Sequence, residues 1–531
     1  MNNKQLVKKQ KATSNSQTFL YVATENTYYC FLQAQIIKAI KEHDPNTRHI
    51  VVPCFGIRYH EPDASRKLPR PLKRLQISLK EYEKERLRAI QCKRHFRHFL
   101  KKELAEELIF ITQAFWLTQL GKAKCQASSI DLSESMETNY ESLIIKGILC
   151  GDLCADSFMR YKPEVSVKTK DKFFEKLAIR AKALIQFYRV LISRFRPTVI
   201  IGTDTTYVHH GIPHRVAAQA NIPSISLAGL EENFKLNLNK QSYNPRRESQ
   251  PSYCKDYPNY QPSSVTDIPD LIYENASRSL ERRVANIYDG TFTYMNKGLA
   301  DRSDYTNSCN GKVLVMLHDF FDASNIYRWK IFNNFYEWAT GTISFCIENN
   351  IPIAIKPHPA QIDESENVVK RLKQMHQMKN EVVWIDKSQK NSSLFKSEPA
   401  LLVSMYGSVA AEATYAGVPV LLAGDHPGIN FEIGYTARDK KEYYEYLRQY
   451  KQAKKGRKEE AINFTAQHYY NNFVKMSDSL KSRMSQSEDS WNHYENYSNH
   501  EITCYANEFR KELVEALSKE RLLISKKALI K

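Results

Sequence analysis

The sequence predicts an α/β protein with two domains, each built on a parallel sheet, that face each other across a cleft. Short apolar segments alternate with segments of helical periodicity along most of the chain, which is the pattern of β-α-β units. The alternation stops at the polar, turn-rich stretch 301–311 and then begins again, so we expect a domain boundary near residue 305. The 531 residues are enough for two large domains.

The first half contains the pattern of successive β-α-β units. Predicted strands lie at 17–24, 49–54, 142–150, 198–202 and 224–228, and predicted helices at 28–41, 171–195 and 207–220. The apolar segment 104–120 has a period that does not distinguish helix from strand. Residues 236–265 are rich in Asn, Tyr, Pro and Ser and predict a surface excursion, and a long helical pattern follows over 271–299.

The second half repeats this pattern. Predicted strands lie at 312–317, 352–355, 382–385, 401–404 and 420–422, and predicted helices at 327–349, 366–375 and 408–416. A last helical pattern covers 501–523. We therefore expect a first domain over 1–305, a second over 306–490, and a C-terminal helix within 491–531 that packs back on the first domain.

Composition excludes several classes of protein. With 42% hydrophobic and 26% charged residues, the chain is neither a disordered polymer nor a polytopic membrane protein. No apolar run approaches the roughly 20 residues of a membrane span, and the polar first 16 residues lack the apolar centre of a signal peptide. The ten cysteines are scattered without paired spacing, which indicates reduced thiols and a cytoplasmic protein.

The formal net charge of +18 is concentrated in one segment. Residues 66–102 carry fourteen Lys and Arg against three Glu, a local net charge of +11. A solvated helix face is one interpretation. So large an excess is more typical of a surface that contacts an anionic polymer or an anionic leaflet. No zinc-finger, aromatic-basic or recognition-helix pattern accompanies it, so we expect no nucleic-acid partner.

A Ser/Gly turn in the second half is a candidate phosphate site. In L-V-S-M-Y-G-S-V-A-A-E a predicted strand ends at Ser404 and a helix opens near Ser408. A helix N-terminus presents unpaired N–H groups to anions, and Gly407 permits close approach of the backbone. Glu412, four residues after Ser408, is placed to accept hydrogen bonds from ribose hydroxyls. The alternative is an ordinary helix that Ser408 caps.

Two further strand exits of the second half carry polar side chains. The sequence K-P-H-P at 356–359 follows an apolar strand, and its prolines hold Lys356 and His358, both suited to phosphate. The alternative is a surface loop with an incidental histidine. The loop after strand 312–317 carries His318 and Asp319, which are candidates for contact with the reacting groups. A simple helix cap is the alternative for this loop.

In the first half, candidate residues follow the strand at 198–202. Asp204 is a candidate general base, and His209, His210 or His214 could take that role instead. A metal cluster is the other interpretation of the histidines. Because no Asp or Cys lies at a suitable spacing from them, we expect no metal site.

A polar group also follows the predicted strand 142–150. It consists of Asp152, Asp156 and Arg160. These residues either line the acceptor side of the cleft or cap the next element.

The second half resembles the donor domain of GT-B glycosyltransferases of bacterial surface-polysaccharide assembly. The resemblance spans about 312–434 and lies in K-P-H-P at 356–359, S-M-Y-G-S-V-A-A-E-A at 404–413, A-G-V-P-V at 416–420 and A-G-D-H-P at 423–427. Capsule Kdo transferases and teichoic-acid glycerophosphotransferases share similar C-terminal sequence. The first half matches through its β-α pattern, G-D-L-C-A-D-S-F-M-R at 151–160 and I-I-G-T-D at 200–204.

The resemblance implies GT-B architecture, with two Rossmann-like domains, a nucleotide-sugar co-substrate, a carbohydrate acceptor, no other cofactor and no obligatory metal. In bacterial sialyl- and polysialyltransferases of this fold, a His-Pro pair and a serine motif hold the donor phosphate. His358-Pro359, Ser404 and Ser408 match these types in the same order. Glu412 matches the ribose-binding glutamate of many GT-B enzymes. The chain lacks a clear paired-acid motif of the kind that polysialyltransferases use.

The leading hypothesis is a glycosyltransferase that moves a sugar from a nucleotide-activated donor to a growing capsule or lipopolysaccharide glycan. Its acceptor would be a carbohydrate or a lipid-linked glycan. The segment 66–102 would hold that glycan or the inner leaflet of the cytoplasmic membrane, where the protein would be peripheral. The alternatives are a sugar-nucleotide 2-epimerase of the same fold and a non-catalytic protein that binds anionic polymers.

Overall fold

The structure, a computed structural model, describes most of both halves of the chain. The described residues are 16–24, 27–55, 78–127, 130, 140–230, 233–239, 243–246, 250, 268, 270–287, 308–327, 329–359, 361–376, 382–470, 473–475, 513–515 and 517–518.

The first domain is built on a seven-stranded sheet. Its strands are β1 (Thr18–Ala23), β2 (Arg48–Pro53), β3 (Ile109–Phe110), β6 (Val199–Gly202), β7 (Ser224–Leu230), β8 (Asn233–Asn239) and β15 (Phe473–Lys475). They lie in the order β15-β8-β7-β6-β1-β2-β3. The five strands from β7 to β3 are parallel, and β8 and β15 add antiparallel pairs at one edge.

Seven described helices accompany this sheet. They are α1 (Thr27–His43), α2 (Leu79–Phe99), α3 (Lys102–Glu107), α4 (Gln113–Cys125), α5 (Gly151–Tyr161), α6 (Lys172–Phe195) and α7 (Tyr207–Gln219). The longest, α6, begins where the Asp171 side chain accepts a hydrogen bond from the backbone of Phe173, and it ends at Arg196 in a left-handed conformation, before Pro197.

The second domain is built on a six-stranded sheet whose paired strands are all parallel. Its strands are β9 (Val313–Met316), β10 (Ile353–Lys356), β11 (Val382–Trp384), β12 (Leu401–Ser404), β13 (Val420–Leu422) and β14 (Tyr435–Thr436). The order is β11-β10-β9-β12-β13-β14. Numbered within the domain this is 3-2-1-4-5-6, the order of a Rossmann sheet. The strands are nearly continuous runs of apolar residues because both faces are covered by helices.

The described helices that pack with this second sheet come from two parts of the chain. They are α8 (Asp270–Val284), α9 (Phe335–Glu348), α10 (Asp363–Met375), α11 (Asn391–Lys396), α12 (Val409–Tyr415), α13 (Lys440–Arg448) and α14 (Lys458–Thr465). No helix in the described ranges has the length and hydropathy needed to cross a lipid bilayer.

The predicted fold class, two Rossmann-like domains in a GT-B arrangement, is confirmed. In both sheets the strand order reverses between the first and fourth strands, at β1/β6 and at β9/β12. The carboxyl ends of the two sheets touch through Tyr207, at the entry into α7, and Asp322, and helix α5 adds the pair Asp156–Asn325. The cleft therefore lies between the two sites where an open α/β sheet binds its ligands.

The prediction of one strand over 142–150 is wrong. This segment forms a small hairpin of β4 (Ile144–Ile145) and β5 (Ile148–Leu149). Lys146 and Gly147 occupy its turn with φ of 51° and 73°. Two successive positive φ angles are typical of the tight turns that reverse a hairpin, so the continuous apolar run concealed a reversal.

The expected domain limits also differ from the structure at two places. Helix α8, expected in the first domain, packs in the second, where Ala276 and Leu280 share a core with Leu402. The chain returns to the first sheet at β15, ahead of residue 491. Further on, Leu513 and Leu517 are buried in the core of the first domain, while most of the remaining C-terminal segment is outside the described residues.

The expected surface excursion over 236–265 is partly wrong. Its first residues belong to β8, which pairs with β7 along seven residues. The remaining stretch lies mostly outside the described residues. The alternation in F-K-L-N-L-N was the signal for this strand, and the surrounding Asn-rich composition obscured it.

Candidate functional site

The predicted donor-side residues surround the β9/β12 reversal of the second sheet. The turn after β12 is held by the histidine that follows β9. His318 Nε2 accepts from the backbone N–H of Tyr406 at 3.2 Å, so the Ser404 hydroxyl, also at 3.2 Å, donates to it. The backbone N–H of Gly407 in turn donates to Ser404 Oγ at 3.2 Å. Ser404 and His318 therefore shape the turn from beneath.

Gly407 occupies a position where a side chain does not fit. A Cβ atom there would lie 2.7 Å from Ser404 Oγ. A second histidine, His426 of the A-G-D-H-P segment, secures the same turn: its Nδ1 accepts from Gly428 N at 2.9 Å, and its Nε2 donates to the Gly407 carbonyl at 3.3 Å. Burial lowers the pKa of His318 to about 3 and that of His426 to about 4, so both rings are neutral near pH 7. Sequence reasoning missed His426, although the quoted motif contained it.

Ser408 is exposed, and its hydroxyl does not cap α12. It accepts instead from Arg283 Nη2 at 3.0 Å, and the same guanidinium binds Glu412 Oε1 through Nε at 3.0 Å and Nη2 at 2.9 Å. The interpretation of Ser408 as an ordinary helix cap is therefore wrong. Arg283 brings a positive charge to the predicted phosphate site.

Sequence reasoning missed Arg283 because it lies 125 residues before Ser408, in a helix assigned to the other domain. Arg283 is only 5% exposed. Its hydrogen bonds to Glu412 and Ser408 hold the guanidinium in position. Glu412 is buried as well. Its Oε2 is a buried polar atom of the site without a hydrogen-bond partner in the described part of the chain.

Lys356 and His358 flank the same site from β10. Lys356 is 1% exposed, and burial lowers its pKa to about 8 against the opposing charges of Glu412 and Asp386. The Lys356 ammonium therefore supports Glu412 from within the domain. His358 is half-buried. Burial lowers the pKa of its imidazole, whereas the negative charges of Asp319 and Asp322 raise it.

Asp319 organises its own loop. Its carboxylate accepts from Ser365 Oγ at 2.6 Å, from Phe321 N at 3.1 Å and from Ile362 N at 3.2 Å. Arg160 of the first domain approaches it to 3.9 Å. The structure places Asp319 where the domains meet, and it remains a predicted catalytic residue.

The predicted acceptor-side acids have different surroundings. Asp152 forms a bidentate ion pair with Arg215, both N···O distances being 2.6 Å, and both residues are buried. Asp156 Oδ1 accepts from the Asn325 backbone at 3.2 Å and from its side chain at 2.6 Å, across the domain interface. Burial raises the pKa of Asp156 to about 7. Asp152 thus stabilises the first domain, and Asp156 links the two domains.

Asp204 lies at the β1/β6 reversal, as predicted, but both its oxygens are engaged. It accepts from Thr205 N at 2.6 Å, Thr206 N at 2.9 Å and Thr206 Oγ1 at 2.7 Å. These bonds order the entry into α7. His214, one alternative base, is fully buried and bonds to Ser224 Oγ at 3.0 Å, so it belongs to the core.

The ring centroids of His209 and His210 are 4.0 Å apart, and the charge of Asp204 acts on His210. His210 Nδ1 lies 3.8 Å from the Sγ atom of Cys54, which directly follows β2. Burial lowers the pKa of both histidines below the ordinary range and raises that of Cys54 to about 12. We expected no metal site because no Asp or Cys lies at a suitable spacing from these histidines in sequence. The fold nevertheless brings Cys54 beside His210, 156 positions away, because distant strands pair in parallel.

The basic segment 66–102 divides into different environments. Residues 66–77 lie outside the described part, and α2 covers most of the rest. One side of α2 is buried, where Arg88 pairs with Glu85 at 3.2 Å. The other side exposes Lys93, Arg94 and Arg97 next to Leu87 and Ile90, which are 49% and 50% exposed. A purely solvated charged face does not describe this helix.

No known family model matches the chain, and no curated protein matches its sequence. Among solved structures, it is similar to the Thermosulfurimonas dismutans KpsC β-Kdo 2,4 transferase, with 12% identity and a TM-score of 0.37 over 53% of this chain and 83% of that one. It is similar to the Neisseria meningitidis UDP-GlcNAc 2-epimerase, with 12% identity and a TM-score of 0.31 over 85% and 98% of the respective chains. For the sucrose-phosphate synthase of Thermosynechococcus elongatus, the identity is 11% and the TM-score 0.28 over 86% and 95%. Such low identities carry no information about activity.

Proposed function

We propose that this protein is a glycosyltransferase that moves a sugar from a nucleotide-activated donor to a surface-polysaccharide glycan. One observation carries the proposal: Arg283 donates to Ser408 at the β9/β12 reversal of the second sheet, and the loop after β9 contacts Tyr207 of the first domain. A positively charged site at one sheet reversal suits a nucleotide phosphate. The facing reversal then receives the acceptor.

The donor phosphate would bind at Ser408, Arg283 and His358. The Ser408 hydroxyl and the guanidinium are hydrogen-bonded to each other at 3.0 Å, so a phosphate that accepts from both would replace this bond. Glu412 would accept from ribose hydroxyls through its unpaired oxygen. Fixed donors of this kind stabilise the charge that develops on the leaving phosphate.

The positive charge of Arg283 would stabilise the donor phosphate, a role that a bound metal ion can also fill. We therefore propose a donor site that needs no resident metal and no cofactor apart from the nucleotide-sugar.

Deprotonation of the acceptor hydroxyl would occur at the first-domain reversal. Asp204 is the proposed base, and its charge acts on the neutral imidazole of His210. Arg160, Asp319 and His318 belong to the contact between domains or to the donor turn, where they would hold the reacting groups in position.

The exposed side of α2 would bind an anionic surface. Leu87 and Ile90 project among Lys93, Arg94 and Arg97, an arrangement that suits the interface of an anionic leaflet. We propose a peripheral location at the inner face of the cytoplasmic membrane, with a lipid-linked glycan as acceptor. Leu87→Ser/Ile90→Ser should lose cosedimentation with phosphatidylglycerol vesicles, whereas Met375→Ser, an exposed apolar control in the second domain, should keep it. Equal binding of all three proteins would contradict this location.

The donor site is tested by thermal shift with CMP, UDP, GDP, CDP and dTDP. A ligand that binds the folded state raises the unfolding midpoint, so a selective shift identifies the nucleotide. His358→Ala should abolish the shift, and His43→Ala, at the far end of α1, should retain it. If no nucleotide binds, the proposal fails. Turnover of the identified nucleotide-sugar without acceptor would instead indicate a 2-epimerase.

A further inference from the structure

A group of metal-ligating side chains lies on the acceptor side of the cleft, apart from the donor residues. Cys54, His209 and His210 each offer one potential ligand atom, and these atoms lie within 4.8 Å of one another. Among the described residues this is the one group of three or more His, Cys, Asp or Glu side chains that could hold a metal ion. Its members come from two strand exits, β2 and β6, that flank β1.

We propose that Cys54, His209 and His210 form a binding site for a Zn²⁺-class transition-metal ion. One thiolate and two imidazoles are a ligand set typical of Zn²⁺. Metal binding at this site goes beyond the proposed function and does not depend on it, since the proposed donor site is in the other domain; only the ligand suggested for the open position rests on that function.

The separation of the sulfur from one imidazole nitrogen fits such an ion. Zn–S and Zn–N bonds of about 2.3 and 2.05 Å at a tetrahedral angle separate sulfur from nitrogen by roughly 3.6 Å. Cys54 Sγ and His210 Nδ1 are 3.8 Å apart, a separation that a weak thiol hydrogen bond and a pair of metal ligands share. The thiol also lies 3.9 Å from the backbone carbonyl oxygen of His209.

The surroundings give a second, independent indication. His209 Nδ1 is shielded from solvent and has no hydrogen-bond partner among the described residues. Buried imidazole nitrogens usually have a partner, so an unpaired one needs an explanation, and metal ligation or orientation of the ring toward a metal would supply it.

Nearby positive charges do not exclude the site. The positive charges of Arg88 and Arg180 contribute to the lowered pKa of His209. Glu85 compensates for both arginines, with Arg88 at 3.2 Å and Arg180 at 3.8 Å. Arg180 also lies 4.0 Å from Glu81, so each arginine has a carboxylate partner.

Three protein ligands leave a fourth tetrahedral position open, as in catalytic zinc sites. His209 and His210 are half-buried, and the His209 ring lies parallel to that of Tyr207, whose hydroxyl donates to Asp322 of the second domain at 3.3 Å. The ion would therefore lie close to the contact between domains, in the half of the cleft assigned to the acceptor. An acceptor hydroxyl is the class of ligand suited to the open position.

The test is Co²⁺ titration of tag-free, full-length protein after treatment with a chelator. Co²⁺ adopts zinc sites and shows a thiolate-to-metal charge-transfer absorption when a cysteine is a ligand. We expect one equivalent of Co²⁺ per chain and this absorption in the wild type. Cys54→Ser should lose the absorption, and His209→Ala and His210→Ala should bind Co²⁺ at least about tenfold more weakly. Cys125→Ser, which removes an exposed thiol elsewhere, should behave as wild type.

Saturating Zn²⁺ should displace Co²⁺ and raise the unfolding midpoint of the wild type and of Cys125→Ser only. The proposal is overturned if Cys54→Ser keeps the charge-transfer absorption, or if the wild type binds no Co²⁺. Should Cys54→Ser fail to fold, the two histidine variants decide, because wild-type affinity in both would equally refute the site. Loss of nucleotide binding leaves these results unchanged, so failure of the donor proposal is distinguishable.

Discussion

The two sheet reversals that face the cleft use their polar residues differently. At the β9/β12 reversal, hydrogen bonds of Ser404, His318 and His426 hold the turn after β12. Ser408 of this turn remains exposed and is hydrogen-bonded to the Arg283 guanidinium. At the β1/β6 reversal and the adjacent α5, most acids are already satisfied: Asp152 by Arg215 and Asp204 by the entry to α7. A preorganised ligand site and a structural polar network therefore look alike in sequence. They differ in whether polar groups remain that could bind a ligand.

The largest expected effect concerns the ion pair within the first domain. Asp152→Ala leaves Arg215 buried without its counter-ion, which should lower the free energy of unfolding by about 3–5 kcal/mol. Urea denaturation of wild type and variant measures this difference.

The double variant Asp152→Leu/Arg215→Met is the matched control. It removes both charges together, so it should be less destabilised than Asp152→Ala alone. Equal losses would show that Asp152 acts through something other than Arg215, and the contrast between the reversals would weaken.

The link between domains should depend on pH. Asp156 has a folded-state pKa of about 7, above its unfolded value, so the folded state retains a proton that the unfolded state releases. The free energy of unfolding should therefore fall as pH rises from about 4 to 7. The pKa difference between the folded and unfolded states sets the size of this fall, up to about 4 kcal/mol. Asp156→Asn, which keeps an acceptor for Asn325, should flatten this part of the profile.

Unfolding free energies at pH 5 and pH 8 compare the two proteins. Asp156→Asn should be more stable than wild type at pH 8 and similar to it at pH 5. A wild-type profile that the substitution leaves unaltered would show that Asp156 is ionised at the interface.

The donor site should lose both affinity and stability when its arginine is removed, because Glu412 is then buried without this counter-ion. Arg283→Ala removes a charge-assisted bond of about 1.5–3 kcal/mol to the phosphate, which corresponds to roughly 10- to 100-fold weaker nucleotide binding. Calorimetric titration with the nucleotide found by thermal shift measures this loss, and Arg282→Ala serves as the neighbouring control. Unchanged affinity in Arg283→Ala would remove this residue from the site.

The smallest effect should come from the donor turn. Gly407→Ala places a methyl group 2.7 Å from Ser404 Oγ, so the turn must shift at a cost of about 1–3 kcal/mol in the free energy of unfolding. We expect weaker nucleotide binding as well, because Ser408 moves with the turn. Gly417→Ala tests a different strain, since φ there is +79° with no crowding inside 3.9 Å, and it should leave nucleotide affinity unchanged.

Much of the fold was predictable from local pattern. The strand 401–404 and the helix 171–195 coincide with β12 and α6 within one residue, because buried parallel strands are short apolar runs and Asp171 and Pro197 mark the helix ends. The hairpin at 144–149 and strand β8 were missed, since a two-residue reversal and an Asn-rich edge strand give weak signals.

The sequence by itself determined the two α/β halves and the strand exits that carry Ser404, Ser408, His318 and His358, because hydrophobic periodicity and turn residues are local properties. Only the tertiary structure decided which polar groups meet: Arg283 with Ser408, Asp156 with Asn325, and Cys54 with His210. These partners are 125 to 169 residues apart. The pairing of distant strands and helices sets such encounters, and no spacing along the chain encodes them.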